Sequence, residues 1–142
     1  MKNTALIAFV LFAGAAFAHQ GVKNPAVQER MHVMGQIGGA MKDLGGMAKG
    51  AVPFDADKID AALQSLGTEA AKIVPTFEAQ EDDPKSEARP EIWTNFSDFT
   101  REAEALQRVI GEAGSVSTTA DLGALVGALG ATCASCHKAY RE

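Results

Sequence analysis

Four stretches of the chain repeat apolar or small residues at alternating steps of three and four. Between Asn24 and Lys49 the stripe is Val27, Met34, Met41 and Ala48, with Met31, Ile37 and Leu44 beside it. From Asp55 to Phe77 it runs through Ile59, Leu63, Leu66, Ala70, Ile73 and Phe77, and from Pro90 to Glu112 through Ile92, Phe96, Phe99, Ala103, Leu106 and Ile110. The fourth, Thr118 to Arg141, carries Leu122, Leu125, Leu129, Cys133, Cys136 and Tyr140. This spacing predicts four helices and no strand. Pro25 and Pro90 suit first-turn positions, Thr118 with Asp121 forms a capping pair, and Gly50 and Gly114 suit helix ends. The links are short apart from EAQEDDPKSEAR, Glu78 to Arg89, whose acids and Pro84 predict an exposed loop or a partly disordered one. Four helices joined in this way predict an all-α fold, an antiparallel up-down-up-down four-helix bundle.

The amino-terminal end has a different pattern. Lys2 leads into ALIAFVLFAGAAFA and then polar HQGVKNP, the order of a secretory signal, with Ala16 and Ala18 placed for cleavage before His19. A membrane anchor is the rival reading, but 14 apolar residues are short of the about 20 that a span needs. Residues 1–18 are therefore expected to be a signal peptide and 19–142 one exported, periplasmic domain with no membrane span after cleavage. The formal net charge of −5 becomes one unit more negative without Lys2, and no Lys/Arg-rich run exists to neutralise phosphates, so nucleic acid is not an expected partner.

The two cysteines of the chain fall in CASCH, near its end. A disulfide across two intervening residues would remove little loop entropy. CxxCH is the attachment signature of c-type haem, in which two thiols one turn apart add to the vinyl groups and the adjacent imidazole reaches the iron. The alternatives are a thiol redox pair, part of a zinc site, or an incidental disulfide. A thioredoxin-like site wants a βαβ context, and a structural zinc site wants more ligands than Cys133, Cys136 and His137 supply.

With RMHVMGQIGGAMKDLGGMAKG in the first helix, PEIW opening the third and CASCHKAYR at the end, the mature chain resembles the cytochrome c′ family, the class II c-type cytochromes. Those proteins are themselves an example of the up-down-up-down bundle, so the two expectations are not independent. The resemblance implies one covalent haem c on Cys133 and Cys136, with His137 on the iron. Many relatives carry a Gly-Ser loop where EAQEDDPKSEAR stands here, so the conformation of that loop is not carried over.

Only upstream residues are available for the other face of the iron, and the candidates there are a methionine or His32. Met34, four residues after Arg30, matches the position that faces the distal side of the haem in class II cytochromes, and it is the expected second ligand. Gly38 and Gly45 on its face each cost about 1 kcal/mol relative to alanine, as if bulk were excluded there; close helix packing is the alternative. His32 points about 200° around the helix from that face and is expected at the surface. His19, at the mature terminus, is a poor ligand candidate. Met31, Met41 and Met47 read as core filler, and Trp93 and Tyr140 as core or pocket walls. Arg30 is a candidate partner for a haem propionate and Arg141 a candidate on the proximal side, each alternatively a solvated charge.

These residues predict a periplasmic electron carrier rather than an enzyme, with its iron held by His137 and Met34 and with redox proteins as partners. High-spin relatives with a five-coordinate iron supply the alternative, binding of nitric oxide or carbon monoxide, and a haem-free exported CxxC domain is the reading from another class. Relatives commonly pair through their first two helices, which allows a homodimer. Intact mass of the exported protein is expected to equal the chain from His19 plus one haem; a retained leader or a haem-free mass refutes this.

Overall fold

The computed structural model describes residues 21–142; the expected leader and its cleavage junction lie outside them. The helices are α1 (Pro25–Ala48), α2 (Ala56–Ala70), α3 (Ile73–Phe77), α4 (Glu91–Thr94), α5 (Phe96–Gly111) and α6 (Thr119–Tyr140). Among the described residues the only extended pairing is an isolated antiparallel bridge between Ala88 and Arg141. Each long helix touches two others, α1 packing on α2 and α6, and α5 on α6 and α2. The result is the antiparallel four-helix bundle that the periodicity predicts.

Local chemistry sets the boundaries. The Asn24 side chain caps α1 by accepting from the Ala26 and Val27 amides at 2.9 and 3.2 Å, with Pro25 at the first position, where its missing N–H costs nothing. Just past the end of α1, Gly50 takes a left-handed φ of 69°. A full capping box starts α6: Thr118 Oγ1 accepts from the Asp121 amide at 3.1 Å, and Asp121 Oδ2 from the Thr118 amide at 2.9 Å.

Two of the expected helices are interrupted. The second breaks at Ala71 and Lys72, because Pro75 has no N–H to donate to the Ala71 carbonyl and its ring crowds that carbonyl. The third breaks at Asn95, whose backbone (φ −127°, ψ 41°) leaves the helical region. Gly114 does not terminate α5, which ends at Gly111.

The core joins Val33 and Leu44 of α1, Ile59 and Leu66 of α2, Phe99 and Leu106 of α5, and Leu122 and Leu129 of α6. Burying each such side chain stabilises the fold by about 1.5–3 kcal/mol. Phe96 and Leu125, expected in the core, are only half-buried at its margin. By length and mean hydropathy (1.3) α6 passes for a membrane span, but its exposed positions are largely Ala and Gly, and its apolar side packs on α1 and α5.

The acidic segment 78–89 is exposed along most of its length, as expected, and it is an ordered strap rather than a disordered one. The Asp83 side chain is buried and accepts from the amides of Lys23 (2.8 Å), Asn24 (3.2 Å) and Lys85 (3.0 Å). Those N–H groups hold its carboxyl below the ordinary 3.8, so this tie is present at neutral pH and is lost as pH falls through the depressed value. Arg30 supplies the second anchor. It is 3 % exposed, and its guanidinium donates to the carbonyls of Thr76 (Nε, 3.1 Å), Glu81 (Nη1, 2.7 Å) and Ala79 (Nη2, 2.5 Å). The same group lies 4.9 Å from the ring centre of Phe77 and 5.1 Å from that of Trp93, whose indole N–H donates to the Phe77 carbonyl. At the far end of the strap the Arg89 amide donates to the Tyr140 carbonyl and the Glu142 amide to the Glu87 carbonyl, both at 3.0 Å.

Arg30→Met is expected to lower the unfolding free energy by roughly 3 kcal/mol, since it keeps the stem but leaves three carbonyls without their charged donor. Denaturant unfolding checks the loss, and hydrogen exchange should show it concentrated in the strap. Unchanged stability would contradict the anchoring role.

Candidate cofactor site

Cys133 and Cys136 lie one turn apart near the end of α6, and with His137 they face a cavity of about 600 Å³. A second wall comes from α1, as Met31, Met34, Gly35, Gly38 and Met41. From α5 come Phe99, Glu102, Ala103 and Leu106, and the strap contributes Ser86, Glu87 and Ala88. Volume and a mostly apolar lining fall in the range of cofactor sites, about 300–1,000 Å³. A methyl group built on Gly38 would meet no atom within 4 Å, so close helix packing is not what glycine serves there; its flat backbone borders the cavity.

The electrostatics favour haem attachment over a thiol redox pair. Both thiols are free. Burial pushes the Cys136 thiol up to about 11, with Glu102, Cys133 and Asp98 adding to the shift, and burial also raises Cys133. Redox-active cysteines need the reverse, a stabilised thiolate. Burial and then Arg141 lower His137, which keeps its imidazole neutral at pH 7 with a lone pair for a metal. Among the described residues no three His, Cys, Asp or Glu side chains gather around a point that would hold a bare metal ion. Tyr140 closes the end of the site: its hydroxyl donates to Asp98 Oδ2 at 2.5 Å, its ring meets Phe99 edge-on at 5.4 Å, and burial, then Asp98, pushes it up to about 12.

Cys133, Cys136, His137 and Met34 are thus brought to one cavity, and His32 lies exposed outside it. Both arginines reach the cavity wall. Arg30 donates from each of its three nitrogens to a strap carbonyl, which gives it an anchoring task. Arg141 lines the cavity beside His137, and its Nε and Nη2 engage Glu87 Oε2 at 2.6 and 2.5 Å. Met31 and Met41 are cavity wall rather than core filler, whereas Met47 is buried in the core. Gly45 does not reach the cavity; Gly35 and Gly130 do. Met31 and Met41 share the helical face of Met34, so their position was signalled by spacing, while the strap residues and Glu102 carried no such signal.

Comparison with known proteins agrees with this geometry. The family model described as Cytochrome C′ matches residues 25–141. Cytochrome c-556 of Agrobacterium tumefaciens (strain B2A) is 39% identical over 123 residues, 81% of this chain and 95% of the relative. Cytochrome c-555 of Bradyrhizobium diazoefficiens is 32% identical over 151 aligned positions, 99% of this chain and 97% of the relative. Cytochrome c′ from Rubrivivax gelatinosus superposes with a TM-score of 0.74 at 25% identity, covering 82% of this chain and 94% of that one. A mutant of cytochrome c prime from Alcaligenes xylosoxidans, solved as its nitric oxide complex, gives 0.73 at 29% identity, with the same two coverages.

Thioether links from both cysteines are expected to keep the pigment on the wild-type chain through acid-acetone extraction, and Cys133→Ala/Cys136→Ala should lose it completely. Pigment extracted from the wild type would refute attachment at this site.

Proposed function

The chain belongs to the cytochrome c′ family and binds haem c covalently, and on that premise we propose that it is a periplasmic protein with one haem in the α1/α5/α6 cavity, its iron bound by His137. Haem, when bound, would supply an iron that changes oxidation state and can take up a diatomic gas. Cys133 and Cys136 fix the ring to α6, His137 offers a neutral imidazole, and the apolar walls exclude water.

The reading best supported is binding of nitric oxide or carbon monoxide on the face away from His137. The observation that carries it is the α1 wall: Val27, Met31, Met34, Ile37 and Met41 offer no hydrogen-bond donor, and Arg30 turns each of its three nitrogens to a strap carbonyl. Such a wall suits weakly polar diatomic ligands. The likeness to a cytochrome c prime solved as a nitric oxide complex supports it too.

A second reading, electron carriage with Met34 as sixth ligand, is favoured by the place of Met34 in that same wall beside Gly35 and Gly38. Under either reading no enzymatic reaction is assigned, electrons pass to redox partner proteins, and the acidic balance suits partners with basic patches. Pairing of two chains through α1 and α2 is suggested by the family resemblance alone.

Visible spectra separate the two readings. The oxidised protein is expected to be high spin, and the reduced protein to take up carbon monoxide while Met34 is present. A low-spin oxidised spectrum, with a far-red sulfur-to-iron band that vanishes in Met34→Ala, would overturn gas binding in favour of the carrier.

A further inference from the structure

We propose that Glu102 sets the reduction potential of the haem by holding an unpaired negative charge in the wall of its cavity. The inference rests on the reading that haem occupies that cavity.

Eight ionisable side chains line it; Cys133 and Cys136 are the attachment thiols and Tyr140 is a phenol, which leaves Arg30, Glu87, Glu102, His137 and Arg141. Arg30 keeps its positive charge but is turned to the strap carbonyls and two aromatic rings, where the carboxylates of Glu81 and Asp82 act on it. Glu87 and Arg141 neutralise one another. His137 is the residue offered to the iron, a role that takes the neutral imidazole. Glu102 remains, half-buried, with no hydrogen bond or ion pair to any described residue. The charges near it on α5 have other partners: Asp98 is engaged by Tyr140 and Arg101, and Glu104 pairs outward with Arg108 at 4.0 Å.

Taking up an electron removes one positive charge from the iron. A nearby carboxylate favours the oxidised form, and it does so more strongly where low-dielectric walls and partial burial weaken screening. Glu102 therefore lowers the midpoint potential, acting on the haem through space and without ligating it.

Spectroelectrochemical titration of the exported, haem-loaded protein tests this with Glu102→Gln, which keeps the shape and removes the charge. Its midpoint should rise above wild type, and the rise should shrink as salt is added. Glu104→Gln removes the same charge from the exposed side of the same helix and should give a clearly smaller shift. An unchanged midpoint, or equal shifts for the two variants, overturns the proposal. Should Glu102→Gln fail to mature, Glu102→Asp decides the question, since it draws the charge back by one methylene; its midpoint lies above wild type if the proposal holds and equals it if not. Wild-type protein without haem would be a separate result, and it would remove the functional reading itself.

Discussion

The guanidinium of Arg30 is the contact on which the arrangement around the cavity depends. Its three nitrogen groups donate to main-chain carbonyls that no helix satisfies, at Thr76, Ala79 and Glu81. A buried carbonyl without a partner costs about 1–3 kcal/mol. One side chain of α1 thereby fixes the exit of α3 and the first half of the strap together. Phe77 and Trp93 sandwich the cation, and the indole N–H returns to the Phe77 carbonyl, so α4 is drawn into the same knot. Asp83 performs the complementary task with opposite charge, gathering amides from the start of α1. An acidic stretch that would repel itself in solution is held down because its buried carboxylate and its carbonyls both meet donors.

The cavity follows from what the helices lack rather than from what they have. A bundle whose faces were filled with leucine would close on itself at interior packing density. Here the α1 face puts glycine at 35 and 38, and α6 puts glycine at 130, along the line where the helices would otherwise interdigitate. Such positions give up contact energy and helix propensity in the isolated chain. Haem contacts would return that loss, and a ligand that binds only the folded form stabilises it in proportion to its affinity.

Much of this was legible in the sequence, and the limits have physical causes. The helix faces show because side chains at three-and-four spacing must share a core, and CASCH shows because covalent chemistry fixes both residue type and spacing. Arg30 and the strap did not show. An arginine spaced four residues before a methionine looks the same whether it meets a propionate or a carbonyl, and hydrogen bonds to main chain leave no mark on residue type. Loop acids likewise read as solvent-facing, since Asp82, which is exposed, and Asp83, which is buried, are the same residue side by side. The break before Pro75 was open to inference from its missing N–H, but the unbroken apolar stripe from Ile59 to Phe77 masked it.

The placement of the haem motif sets a further mechanical demand. Helix termini fray, and Cys136 and His137 stand near the carboxyl end of α6. The strap answers that demand from outside the helix. Arg89 donates to the Tyr140 carbonyl, Glu142 to the Glu87 carbonyl, Arg141 pairs with Glu87, and Tyr140 reaches Asp98 on α5. The end of α6 is therefore held on two sides by groups distant in sequence, and the strap that holds it is anchored in turn by Arg30 of α1 and by its own Asp83 on the amides just before α1. The geometry of His137 thus depends on residues more than a hundred positions upstream, through contacts that never touch the imidazole itself.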